Sequence, residues 1–133
     1  MEDAYKINIV SPEKIIFSDE NIQEVVLPSY EGEMDILKDH IPIISFLRPG
    51  IVKILKPSEK VSSFFIEDGI IEFHNNSLTV LSSKIVDTKE LNKEKIEQLI
   101  SETEKILSDE ALDDNVRYLA NHKIETLRLL NLN

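Results

Sequence analysis

Three histidines, His40, His74 and His122, and 25 acidic residues are the side chains in this sequence best suited to chemistry. The histidines read as lying in a turn, at a strand end and in a helix. They show no His-x-x-x-His spacing, and no carboxylate stands at a metal-ligand offset from any of them, so the pattern assembles no metal centre. There is no Gly-x-Ser-x-Gly elbow and no glycine-rich phosphate loop. Cysteine is absent, which removes a thiol nucleophile, a thiolate metal site and a disulfide framework together. Glu31 and Glu33 alternate on a strand-like segment and so face one side, as a hydrolytic carboxylate pair would require. With 25 acids among 133 residues, however, such pairs arise by chance. No catalytic residue is therefore assigned. His40 keeps two readings. It is either a turn residue that donates to a nearby carbonyl and fixes the loop before Pro42, or a contact residue on a loop that a partner covers.

The elements that must position these residues fall into two textures. From Tyr5 to Asp87, short segments rich in Ile, Val, Phe and Leu are separated by turn formers, which is a β pattern. Strands are expected at Tyr5 to Val10, Lys14 to Phe17, Ile22 to Leu27, Ile51 to Leu55, Ser62 to Ile66, Ile70 to His74 and Leu78 to Leu81. Turns are expected at Ser11-Pro12-Glu13, Ser18 to Asn21, Pro28 to Gly32, Pro49-Gly50, Pro57-Ser58-Glu59, Glu67-Asp68-Gly69 and Asn75-Asn76-Ser77. The stretch Glu31 to Gly50 holds two of the three glycines and two of the five prolines. It reads as tight turns joining short strands. Eight or more short strands without intervening helices indicate a sandwich or a barrel.

Beyond Asp87, glycine and proline disappear. Ile96, Leu99, Ile100, Ile106 and Leu107, with Thr103 between them, form the stripe of an amphipathic helix capped by Thr88 or Asn92. Ser108 is expected to end that helix and cap a second one carrying Leu112, Val116, Leu119, Ala120, Ile124, Leu127 and Leu130. The connection is very short, so the pair forms an antiparallel hairpin. Each stripe is narrow, and the hairpin must lean on the β domain or on a partner. A hinge is expected between Lys84 and Glu90. The chain thus divides into a β docking domain over residues 1–87 and a helical, mobile hairpin over residues 88–133.

Composition bounds the partners. Hydrophobic residues are 41% and charged residues 30%, the balance of a folded globular domain. A net charge of −10 opposes any sequence-independent grip on nucleic acid, which needs Lys and Arg to neutralise phosphates. The acidity suits solubility or docking onto a basic patch. No apolar run reaches the roughly 20 residues of a membrane span, and Met1 to Lys6 lacks the features of a signal peptide, so the chain is expected to stay where it is made.

At this point the order and spacing of several motifs carry a resemblance. They are Val10-Ser11-Pro12-Glu13-Lys14, Val25-Val26-Leu27-Pro28, Glu31-Gly32-Glu33, His40-Ile41-Pro42-Ile43, Leu47-Arg48-Pro49-Gly50 and Glu67-Asp68-Gly69-Ile70-Ile71-Glu72-Phe73. Together they resemble the ε-subunit family of F-type ATP synthases, and the likeness spans essentially the whole chain. The resemblance implies a mainly β fold with an α appendage: an N-terminal ten-stranded β-sandwich followed by a C-terminal antiparallel two-helix hairpin. It implies a non-catalytic rotor subunit that links the γ subunit to the c-subunit ring and helps couple proton translocation to ATP synthesis. Ser11, Glu33 and His40 would face the c ring from one loop end, and another face of the sandwich would pack on γ.

The resemblance further implies that the hairpin, when extended, reaches the catalytic α/β subunits and blocks ATP hydrolysis. It places the protein peripherally on the cytoplasmic face of a bacterial inner membrane, membrane-associated only through its complex. Relatives that bind ATP carry a Leu/Ile-Asp-x-x-Arg-Ala motif, against which this chain shows Leu91, Asn92 and Lys95, with Asn for the acid, Lys for the arginine fork and Ile96 for the small residue. No cofactor is implied. Two further departures stand before His40: Asp35 replaces a glycine, and Lys38-Asp39 replaces a Pro-Gly-like pair. Aspartate tolerates left-handed backbone better than most residues. The alternative reading is an unrelated β-sandwich that serves as a protein-interaction module.

Overall fold

A computed structural model of the protein describes residues 4–57 and 61–131. Ten strands come first: β1 (Tyr5–Val10), β2 (Ile15–Ile22), β3 (Glu24–Ser29), β4 (Gly32–Leu37), β5 (Ile43–Leu47), β6 (Gly50–Leu55), β7 (Ser62–Ile66), β8 (Gly69–His74), β9 (Ser77–Leu81) and β10 (Ile85–Asp87). A short 3₁₀ turn over Thr88–Glu90 leads into helices α1 (Lys93–Leu107) and α2 (Asp114–Asn131). The hydrogen-bonded order is β10-β7-β6-β3-β5-β8-β9-β1-β2, with β4 on the other edge of β3. Neighbours are antiparallel except for the parallel pair β1 and β9.

The sandwich follows from how β3 divides one edge between two partners. Glu24 to Val26 pair with β6, whereas Ser29 alone pairs with Leu47 of β5. Pro28, which has no N–H to donate, stands between them, and its carbonyl accepts from Arg48 N at 2.9 Å. The path therefore turns there into two layers. Their facing side chains form one core that includes Ile7, Ile22, Leu27, Ile54, Phe64 and Phe73. Gly50 sits at the turn because a Cβ would come within 2.5 Å of the Pro28 ring.

On β7, Phe64, Phe65 and Ile66 are all buried, where a half-buried strand would alternate. Phe64 and Ile66 point into the sandwich core, and Phe65 points out of it into a second cluster with Ile96 and Leu127. Ile51, Val86, Leu91, Leu99 and Leu130 complete that cluster. The hairpin thus lies folded down on the outer face of β6, β7 and β10. Thr103, the polar member of the α1 stripe, is buried with its hydroxyl donating to Leu99 O at 2.7 Å.

Three expectations are corrected. Ser18 to Asn21 form no turn but belong to the eight-residue β2; Asp19 Oδ1 accepts from Asn21 N at 2.8 Å inside a bulge opposite Lys6. Ile85 to Asp87 are a strand paired with β7 and not a hinge, so the unpaired joint shortens to Thr88 through Asn92. Ser108 does not cap α2: its hydroxyl donates back to Lys105 O at 2.6 Å and closes α1. Six residues separate the helices, Ser108 to Asp113. Asp113 Oδ1 accepts from Asn115 N at 2.8 Å, and Leu112 lies in the connection. Asn92 does cap α1, accepting from Lys95 N at 2.8 Å. Of the expected Pro57-Ser58-Glu59 loop, Ser58 and Glu59 lie outside the described residues.

The two faces of β7 predict separable mutants. Phe64→Ala should destabilise the whole sandwich by about 3–5 kcal/mol in urea unfolding. Phe65→Ala should instead lower amide protection throughout α1 and α2 while leaving that of β1, β8 and β9 unchanged. Equal loss of protection in both regions would overturn the separation.

Candidate functional site: the hairpin seam and the two ends of the sandwich

Strand register places the expected contact residues at two different ends. Val10 pairs with Leu81, Leu81 with Ile70, and Leu47 with Gly69, so Ser11 and Arg48 follow strands that finish at the same end. Ile43 pairs with Phe73, and His74 with Ser77, which puts the His40 loop at the opposite end. Ser11 and His40 therefore do not share one loop cluster, and the expectation of a single edge is corrected. The reason is strand count: β4 carries the chain from one end to the other between Glu33 and His40.

Two of the three, Ser11 and His40, have local work. Ser11 Oγ accepts from Lys14 N at 3.2 Å and Glu13 N at 3.4 Å, closing its own turn. Glu33 is exposed opposite Pro28. The His40 ring packs edge-on against Phe73 at 5.9 Å, and its Nδ1 lies 2.7 Å from Ile41 O, an N–H donating to that carbonyl. The first reading of His40, as the residue that fixes its turn, thus matches the geometry.

Asp39 adopts φ +66°, and its backbone N–H and carboxylate bond reciprocally to the Asn76 side chain at 2.7 and 2.9 Å. Asn75 and Asn76 both have positive φ, as a two-residue hairpin turn requires. Asp35 lies in regular strand paired with Val26, so no glycine is needed at that position.

The carboxylate pairs offer no catalytic arrangement. Glu31 sits in the Tyr30-Glu31 turn and not in strand with Glu33. Glu24 and Asp35 do interact, and the Asp35 carboxyl beside it raises the Glu24 pKa, but both lie on the outer surface of β3 and β4. Among the described residues, no three His, Asp or Glu side chains are grouped to hold a metal ion.

Leu91 and Lys95 line a cavity of about 260 Å³ between β10 and α1, small for a nucleotide. The Asn92 side-chain oxygen is occupied by its cap.

A cluster that sequence reasoning missed joins α2 to the sandwich. Arg48 Nη1 donates to Tyr118 Oη at 3.1 Å and lies 3.4 Å from His122 Nε2. Tyr118 stacks on Tyr30 at 6.0 Å and donates to its carbonyl at 3.4 Å. Burial holds the His122 pKa below the usual histidine range; Arg48 adds to this and Glu125 opposes it. Lys123, also on α2, pairs with Glu67 at 2.7 Å. Beside the cluster lies a cavity of about 480 Å³, walled by Pro28, Glu33, Ile51 and Leu129. The available signal was Tyr118 and His122 at i, i+4, a helix face flanking the apolar stripe.

The outer face of the second layer is also distinctive. Phe46, Ile70, Leu81, Val10 and Ile15 are register partners across β5, β8, β9, β1 and β2. Phe46 is 59% and Ile15 65% exposed, so the row is a continuous apolar stripe facing outward. The next row contains Ile44, Glu72, Thr79, Asn8 and Ser18 and is mostly polar. No described helix is long and apolar enough to cross a membrane.

Comparison with known proteins adds the following. Residues 4–88 match the family described as ATP synthase, Delta/Epsilon chain, beta-sandwich domain. The chain is 47% identical over 131 residues to the ATP synthase epsilon chain of Pelagibacter ubique, covering 98% of this chain and 100% of that one. It is 30% identical over 132 residues to the ATP synthase epsilon chain of Dichelobacter nodosus, covering 99% and 92%. Among solved structures, it superposes with a TM-score of 0.79 and 20% identity on a chain from the OSCP/F1/c-ring structure of the Euglena gracilis mitochondrial ATP synthase. That match covers 96% of this chain and 81% of the other.

Proposed function

This chain belongs to the ATP synthase delta/epsilon chain family, and from that premise we propose that it is the ε-type, non-catalytic rotor subunit of an F-type ATP synthase. The observation that carries the reading is end-to-end identity of 47% with an ATP synthase epsilon chain, which includes both the sandwich and the hairpin. In this role the protein catalyses nothing. It belongs to a membrane-associated complex and transmits torque between γ and the c ring, for which a stiff, closed core is the physical requirement. Its position is the cytoplasmic face of the membrane.

The apolar row from Phe46 to Ile15 is the surface assigned to γ, because a contiguous exposed stripe of this kind marks a protein interface. Ring contact is assigned to the Ser11 and Glu33 end; His40, at the far end of the strands, belongs to a different contact. The hairpin is assigned the inhibitory role toward ATP hydrolysis when it leaves the sandwich. Its joint at Thr88 to Asn92 has no sheet pairing to break. ATP is not assigned as a ligand.

Four outcomes are expected. The intact chain should co-purify with γ, and no affinity at micromolar concentration would end the proposal. Phe46→Asp should weaken γ binding by about 10–100-fold, the consequence of losing one aromatic from the contact surface, with urea stability unchanged because Phe46 is exposed in the free chain. A cysteine at Glu33 should form a disulfide with cysteines in the polar loop of the c subunit, whereas one at His40 should not; the reverse yield would exchange the two ends. Truncation after Asp87 should raise ATP hydrolysis by the assembled enzyme while coupling persists, and unchanged hydrolysis would remove the inhibitory role.

A further inference from the structure

The seam between hairpin and sandwich holds one group that titrates near neutrality, and its surroundings differ sharply between the two sides. His122 stands on α2. From the β5–β6 turn it meets Arg48, whose Nη1 lies 3.4 Å from Nε2. A guanidinium only donates, so Nε2 must be the unprotonated acceptor, and the proton resides on Nδ1. On its own helix it meets Tyr118, edge-on at 4.5 Å, and Glu125, whose Oε2 is 3.6 Å from Nδ1. From the β3–β4 turn Tyr30 reaches it only through Tyr118. Glu33 of β4 and Lys53 of β6 line the adjoining cavity. Lys123, the next residue, is held by Glu67.

We infer that His122 makes docking of the helical hairpin proton-sensitive: protonating Nε2 breaks its bond with Arg48 and drives α2 off the sandwich. The charges sort by whether they travel with the helix. Glu125 moves with His122 and acts on it in both states, so its effect largely cancels. Arg48 and the burial supplied by the sandwich act only when the hairpin is down. Both disfavour the imidazolium, and both vanish on release.

The sign follows. Released, His122 titrates near its ordinary value of about 6.5; docked, it titrates lower. The docked state therefore binds fewer protons. Docking is at full strength above about pH 6.5, weakens as pH falls through the interval between the two pKa values, and levels off below the docked one. Each unit of depression lowers the docking equilibrium tenfold. The inference concerns the chain by itself and stands apart from its place in any assembly.

The test uses the full-length chain in solution. Amide exchange, corrected for intrinsic rates, is read as the protection of α2 relative to β8 at pH 7.5 and pH 5.5. Wild type should lose relative protection at the lower pH, and His122→Gln, which keeps a hydrogen-bonding side chain but cannot gain the charge, should not. An equal loss in both would overturn the inference. A second measurement holds whether or not the variant docks. The His122 titration midpoint, followed by NMR, should lie below 6.5 in wild type and rise toward 6.5 in Phe65→Ala, in which the hairpin's main apolar anchor is removed. The same midpoint in both chains would show that docking and protonation are not linked, and would also overturn it.

Discussion

Burial of Phe64, Phe65 and Ile66 in succession is the constraint on which this structure depends. A strand normally presents one face to a core and one to water, and side chains alternate accordingly. β7 has a core on both sides. Its inward residues close the sandwich, and Phe65 between them is the anchor on which Ile96 and Leu127 converge. Without that outward phenylalanine the hairpin would have two narrow stripes and nothing to cover them. Without the inward pair, the layer that offers Phe65 would not exist. The coupling is one way: the sandwich core is complete without the hairpin, whereas the hairpin borrows its burial from the sandwich.

This asymmetry sets a hierarchy of stabilities. The first core buries more than a dozen large side chains, while the second has three fully buried members and a ring of half-buried ones. Apolar burial contributes about 1.5–3 kcal/mol per large side chain, and the hairpin must also offset the ordering of its joint. Release of the hairpin therefore costs far less than unfolding of the sandwich. A few polar contacts at the seam, the Arg48–Tyr118 bond and the Lys123–Glu67 pair, are then a substantial fraction of what holds it. In a seam this thin, the charge state of a single imidazole is a large share of the balance between docked and released states.

Much of the fold was legible in the sequence because its signals are local. Apolar segments between turn formers located β1, Asn75-Asn76-Ser77 announced a turn, and the amphipathic stripe announced α1. Two of the misreadings have one physical source, side chains that satisfy the backbone in a way sequence leaves open. Asp19 and Ser108 each have a turn-forming side chain, and each meets a local backbone partner that sequence leaves open: Asn21 N inside a bulge of β2 for the first, Lys105 O at the end of α1 for the second. Val86, read as part of a hinge, pairs with Phe65 in the antiparallel ladder between β10 and β7. The resemblance supplied the strand count of ten and the role, both consistent with the family to which the chain belongs.

The candidate site was the least legible part, because it depends on strand register over long sequence separations. The resemblance implies that Ser11, Glu33 and His40 share one loop end, but the register from Val10 through Leu81 and Ile70 to Leu47 places Ser11 and His40 apart. Arg48 and His122 are 74 residues apart and carry no motif. Arg48 looked like part of a Pro-Gly turn, and His122 like an isolated helical histidine that fitted no metal pattern. Their meeting requires Pro28 to hold the Arg48 backbone at the turn of the two layers and Phe65 to seat α2 beside it. The same residues that make the sandwich closed and the hairpin docked thus also bring the one neutral imidazole of the seam against a permanent cation.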